Sequence, residues 1–101
     1  MQDKEKATPA KVVALKKTRD QFSGTSSATQ RDRLEAALRE WGTVTTFEAR
    51  EYLDIYHPAG RVKEMRDEGL GIITVWVTVE SENGELHRVA KYVLNREVAH
   101  A

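Results

Sequence analysis

The chain contains no cysteine. That absence excludes a disulfide framework and any thiolate zinc site. Histidine is sparse: His57, His87 and His100 lie far apart and show no ligand spacing, so neither a metal site nor a cofactor is expected. Long apolar runs are also missing. The longest, near residues 72–79, is too short to span a bilayer and is interrupted by Thr74 and Thr78. The N-terminus lacks the apolar core of a signal peptide. A soluble protein of the reducing cytosol, with no membrane partner, is the expectation. No Ser/His/Asp pattern, phosphate loop or metal box is present, so no enzyme activity and no catalytic residues are expected. The formal net charge is zero, which argues against an indiscriminate nucleic-acid coat.

What is present fits one small domain. The chain has 101 residues, 40% hydrophobic and 32% charged, enough for a modest core under a well-solvated surface. The charge is unevenly placed. Residues 1–24 hold six Lys+Arg against three Asp+Glu, and residues 25–101 hold ten against thirteen. Residues 1–27 therefore read as a flexible basic arm and linker, with Val12, Val13 and Leu15 sufficient for one helical turn or two. Residues 28–94 read as the folded domain, and 95–101 as a C-terminal tail.

From residue 28 or 29 to about Gly42, Leu34, Ala37, Leu38 and Trp41 recur at helical spacing. That register assigns Trp41 to the core. Thr43-Val44 suits a short edge strand. Thr45-Thr46-Phe47-Glu48 has the form of a capping box, opening a helix with Ala49, Tyr52 and Leu53 on its inner face. Asp54-Ile55-Tyr56 reads as a turn with Ile55 plugged inward. Pro58 opens the next helix, where a missing N–H costs nothing, and Gly69 ends it in the left-handed region. Val62 and Met65 face inward. Two short helices joined this way make a helix-turn-helix, which commonly lays its second helix in the DNA major groove.

Ile72–Glu80 and Leu86–Leu94 read as strands around Asn83-Gly84, a strong hairpin signal. A two-residue turn would pair Ile73 with Leu94, Val75 with Tyr92 and Val77 with Ala90 on the core face. Trp76 would then lie opposite Lys91 on the outer face, beside Val89. Three helices followed by a two-stranded hairpin form an α+β winged helix arrangement.

At this point the chain resembles a family. Its TTFEAR, HPAGRVKEMRDEG and HRVAKYVL stretches are similar to those of small winged helix-turn-helix domains often found in phage and prophage proteins. The resemblance covers about residues 28–94. It implies double-stranded DNA as partner, a role as transcriptional regulator or as DNA-architecture or recombination accessory factor, and a location in the bacterial host cytoplasm or nucleoid. Two features depart from the usual pattern: Asp54 stands where many such turns have Gly, and Gly60 lies inside the recognition helix.

The helix at about 57–68 offers His57, Gly60, Arg61 and Lys63 in its N-terminal half, the half that usually reads bases, with Arg66 on the flank. His57 also suits a helix cap. On the wing, Arg88 and Lys91 are candidates for phosphates, whereas Glu80, Glu82 and Glu85 make the tip acidic. The competing reading is a protein-interaction module that binds a host or phage protein such as a polymerase or nuclease, with Trp76 and Val89 as its anchor. A homodimer is a further partner to consider.

Overall fold

Thr8-Pro9 begins the first helix of the structure, a computed structural model that describes residues 7–95. The Thr8 hydroxyl accepts from the Lys11 N–H at 3.2 Å, and Pro9 sits in the first turn. Helix α1 then runs Pro9–Gln21. This corrects the expected flexible arm over those residues. Leu15 is fully buried in the common core and Thr18 is buried beside it, while Lys11 reaches across to Glu48 at 3.1 Å and Thr43 at 3.3 Å. A lysine counted toward a basic arm is thus tied into the fold. The rest of the expected arm, residues 1–6, and residues 96–101 of the expected tail lie outside the described residues.

Ser26 caps helix α2, Ser27–Trp41, by accepting from the Thr29 N–H, and Gly42 closes it at φ 82°. Leu34, Ala37 and Leu38 are fully buried. Trp41 is not: it is 39% exposed, a correction to its core assignment. It is the last helical residue, where the apolar stripe runs off the end of the packed surface. Strand β1, Thr43–Thr45, follows.

The capping box forms as expected at helix α3, Thr46–Tyr52. Thr45 Oγ1 accepts from Glu48 N–H at 3.0 Å, and Glu48 Oε1 accepts from Thr45 N–H at 2.9 Å. Asp54 turns the chain at φ 55°, the left-handed conformation that Gly would otherwise supply and that Asp tolerates better than most residues. Ile55 plugs the core with no exposure. Helix α4, Pro58–Asp67, buries Val62 and Met65. Gly69, at φ 100°, follows it.

Strands β2, Ile72–Glu80, and β3, Leu86–Leu94, complete an antiparallel sheet of order β1-β3-β2. The hairpin register is one residue away from the expected one. Ile72 pairs with Leu94, Thr74 with Tyr92, Trp76 with Ala90 and Val77 with Val89. The cause lies in the turn. A two-residue type I′ turn needs positive φ at both central residues, yet only Gly84 has it, at 84°. The chain instead makes a three-residue loop, 82–84. Gly84 N–H donates to Ser81 O at 2.9 Å, and Ser81 N–H donates to Glu85 O at 2.8 Å. Asn83 Oδ1 accepts from the Glu85 N–H at 3.3 Å.

The fold is thus α+β, with four helices and a three-stranded antiparallel sheet among the described residues, rather than three helices and a hairpin alone. One core joins Leu15 of α1, Leu34 and Leu38 of α2, Ala49 of α3, Val62 and Met65 of α4, and Tyr92 and Leu94 of β3. Because Leu15 belongs to that core, Leu15→Ala is expected to destabilise the whole domain by about 2–5 kcal/mol in urea denaturation. A loss below about 0.5 kcal/mol would show α1 to be an appendage.

Candidate nucleic-acid interface

The helix-turn-helix pair presents the N-terminal end of α4 beside the wing. A cleft opens between them, lined by Arg50 of α3, His57, Ala59 and Gly60 at the start of α4, and Trp76 and Arg88 of the wing. Among the described residues, its lining contains no carboxylate. His57 occupies the N-cap position, but its side chain makes no capping hydrogen bond, contrary to the capping reading. The first-turn N–H groups of α4 therefore gain no side-chain acceptor from it. A helix N-terminus in that state favours an anion.

Arg88 stacks on Trp76, its guanidinium carbon 5.2 Å from the ring centroid. The contact fixes a long side chain in place while leaving its charge available. Trp76 is 58% exposed. It shares the strand face of its neighbour across the ladder, Ala90, and overhangs the cleft. Val89 pairs with Val77 and alternates with Ala90, so the expected common face for Trp76 and Val89 does not form. Lys91 pairs with Val75 and Thr45 and alternates with Arg88 in the same way. The one-residue register shift separates Trp76 from Val89, whereas Arg88 and Lys91 face opposite sides of their strand in any register.

The cations of α4 are differently placed from those of the cleft. Arg61 Nη1 donates to Ser27 Oγ at 2.6 Å, and its Nη2 donates to Glu64 Oε2 at 3.2 Å. Its Nε lies 3.0 Å from Glu64 Oε1 but is not aligned for a hydrogen bond. Arg31 of α2 meets the same Glu64 oxygen at 3.0 Å. Arg61 is therefore part of the α2–α4 seam. Arg66 is likewise structural: its Nε donates to Ile72 O at 2.8 Å and its Nη2 to Thr74 Oγ1 at 2.7 Å, tying α4 to β2. Lys63 pairs with Asp67 at 3.0 Å on the open surface, one turn further along α4. Gly60 has room: an added Cβ would meet only His57 Cβ, at 3.8 Å.

A second cleft lies between α3 and the wing tip and has the opposite character. Glu48, Glu51, Glu80 and Glu82 line it together with Tyr52. Burial raises the Tyr52 phenol above its ordinary pKa, and the charges of Glu51, Glu48 and Glu82 push it in the same direction. Such a site repels phosphate. The two clefts therefore differ in sign, and the basic one is at the helix that a helix-turn-helix uses for reading.

Sequence reasoning missed Arg50. The charge is on α3, and nothing in its local spacing separates it from an ordinary solvated residue. Its proximity to Arg88 comes only from the return of β3 beside α3. The different anchoring of Arg61 and Lys63 leads to a direct contrast. Arg61→Ala is expected to lower stability by about 1–2 kcal/mol, since it removes hydrogen bonds to a charged group at a packed seam. Lys63→Ala, losing an exposed i,i+4 pair, should change stability by less than about 0.5 kcal/mol. Equal urea midpoints for the two variants would refute the seam assignment.

A family model described as a winged helix-turn-helix domain matches residues 29–97, well over half of the chain. No curated protein matches it. Among the described residues, no helix is long and apolar enough to cross a membrane.

Proposed function

The chain belongs to the winged helix-turn-helix domain family, and from that premise we propose that it binds double-stranded DNA through the basic cleft at the start of α4. The observation that carries this reading is the convergence of Arg50, His57, Arg88 and Trp76 on the α4 N-terminus, with no carboxylate in the lining among the described residues. In this arrangement Arg50 and Arg88, which line the same cleft, meet phosphates beside the start of α4. His57 and Gly60 approach the groove wall, where a glycine lets a DNA backbone come close. Lys63 lies beyond them on the exposed face of α4 and reaches bases or phosphate by leaving Asp67. Arg61 and Arg66 hold α4 in place and so set its angle rather than read bases. Lys91 is a peripheral phosphate contact at most.

The proposed role is that of a phage or prophage transcriptional regulator, or of an accessory factor in recombination or DNA architecture, acting in the bacterial host cytoplasm or nucleoid. Its support is the likeness of the TTFEAR, HPAGRVKEMRDEG and HRVAKYVL stretches to small winged domains of that origin. An interaction module anchored on Trp76 is the competing proposal. The stacked Arg88 favours DNA, because it places a cation over the ring that such a module would bury in an apolar interface.

Titration of labelled duplex DNA at several salt concentrations tests the proposal. The parent protein is expected to bind with a steep salt dependence. Arg50→Ala and Arg88→Ala should each weaken binding to all sequences and lower the salt slope by about one unit. Gly60→Ala separates fold from function. It should stabilise the domain by about 0.5–1 kcal/mol, since the helix gains Ala and the site has space, yet weaken DNA binding by crowding the groove. Absence of binding by the parent at low salt would favour the interaction module. Unchanged binding by all three variants would move the interface elsewhere.

A further inference from the structure

Strand β2 is an edge. In the order β1-β3-β2 it has β3 on one side, and among the described residues no strand pairs with its other side, where Arg66 bonds near its start. The ladder polarity can be followed residue by residue. Asn95 N–H donates to Gly71 O at 2.8 Å, so odd-numbered residues of β2 point their backbone groups toward β3. Even-numbered residues point outward, as the 2.8 Å bond from Arg66 Nε to Ile72 O shows. Thr74, Trp76 and Thr78 therefore offer N–H and C=O groups along the free edge. Proteins ordinarily blunt such an edge with proline, lysine or a bulge. Ile72–Glu80 contains no proline, glycine or lysine, and its pairing with β3 runs without a bulge.

The sequence of this edge is self-complementary. Thr74-Val75-Trp76-Val77-Thr78 reads the same in both directions, and Ile73 and Val79 extend the symmetry with β-branched residues. An antiparallel pairing of two such strands about a two-fold axis through Trp76 sets like against like. Thr74 faces Thr78 of the second copy, and Trp76 faces Trp76. On the other face Val75 meets Val77 and Ile73 meets Val79. Threonine pairs, aromatic pairs and β-branched pairs are the cross-strand combinations that stabilise antiparallel ladders. Val75 and Val77 fall in non-hydrogen-bonded positions, where side chains approach most closely. Ile73 is 47% exposed and Val75 is 42% exposed, and both gain an apolar neighbour by this pairing.

We infer that the β2 edge is a homodimer interface, in which two copies of the chain pair their β2 strands antiparallel, centred on Trp76, to form one continuous sheet. This interface is isologous, as a two-fold axis requires. It shares Trp76 with the proposed DNA cleft but is made through the backbone edge of β2, and its test reads oligomeric state and register without DNA.

The chain has no native cysteine, so an introduced thiol reports without background. In the full chain, Trp76→Cys places two thiols at the axis, with Cα atoms at hydrogen-bonded ladder spacing inside the about 4.4–6.8 Å range that disulfides accept. Ile73→Cys, in the same strand, places its two thiols several residues apart. Mild oxidation is expected to cross-link the first variant into a dimer and leave the second monomeric. The parent should sediment as a dimer at micromolar concentration. Thr78→Pro, which removes an outward-facing N–H and spares the ladder to β3, should sediment as a monomer with unchanged far-UV circular dichroism. A monomeric parent, equal cross-linking at both positions, or a folded Thr78→Pro variant that still dimerises would each overturn the inference.

Discussion

The guanidinium of Arg33 is the contact on which the arrangement of this domain depends. It is buried in α2 and donates to four carbonyls from two separate loops. Phe22 and Gly24 belong to the connection between α1 and α2; Leu53 and Asp54 belong to the turn between α3 and α4. A buried charge is costly unless its donors are met, and here carbonyl dipoles on both sides meet them. Each such bond to a charged group is worth about 1.5–3 kcal/mol when the partner is held in place. Both loops are held. Asp54 adopts its left-handed conformation in the turn, which directs the Leu53 and Asp54 carbonyls at the same side chain. One planar group therefore ties the α1–α2 connection to the α3–α4 turn, the turn from which α4 starts.

Charge on the exposed surface is partitioned in a way that follows from this geometry. Close to α2, the α4 helix carries carboxylates and arginines that satisfy each other: Glu64 sits between Arg31 and Arg61. At the opposite end of α4, where the wing approaches, the acids stop. The basic and acidic clefts lie on either side of α3, one lined by Arg50 and Arg88 and the other by Glu48, Glu51, Glu80 and Glu82. A net charge of zero is compatible with a nucleic-acid interface because the charges are segregated rather than absent.

The helix-turn-helix was legible in the sequence because its signals are local. A capping box, an inward Ile55, a proline at the helix start and a glycine after its end each act within a few residues. Helix α1 was not legible for the opposite reason. Leu15 is its one fully buried apolar residue, Val13 faces solvent, and the helix is held by long-range contacts from Lys11 to Glu48 and from Arg33 to Phe22. The Thr8-Pro9 cap was the signal available, of the same kind as the proline at Pro58. The wing's two strands were readable, but their register was not. Asn83-Gly84 is compatible with two loop lengths, and the choice rests on the φ of Asn83. That single torsion moved Trp76 from beside Lys91 to beside Ala90, and so from the outer face to the cleft.

The candidate site was legible in its elements and less so in its residues, because a cation's sequence position does not reveal what it already holds. Lys63 and Arg61 are two residues apart on one helix, yet they differ in what binding would disturb. The Lys63–Asp67 pair is on the open surface, with side-chain exposures of 77% and 66%, so solvent screens it and exchange for a phosphate costs little. Arg61, with a side chain only 16% exposed, holds both Ser27 at the start of α2 and Glu64. Withdrawing it would leave Glu64 supported by Arg31 alone and would loosen the seam that orients α4. A helix that must present a fixed surface to a partner cannot also give up the side chain that fixes it. The division of labour therefore follows from burial: exposed cations are available to a ligand, and seam cations determine where the exposed ones stand.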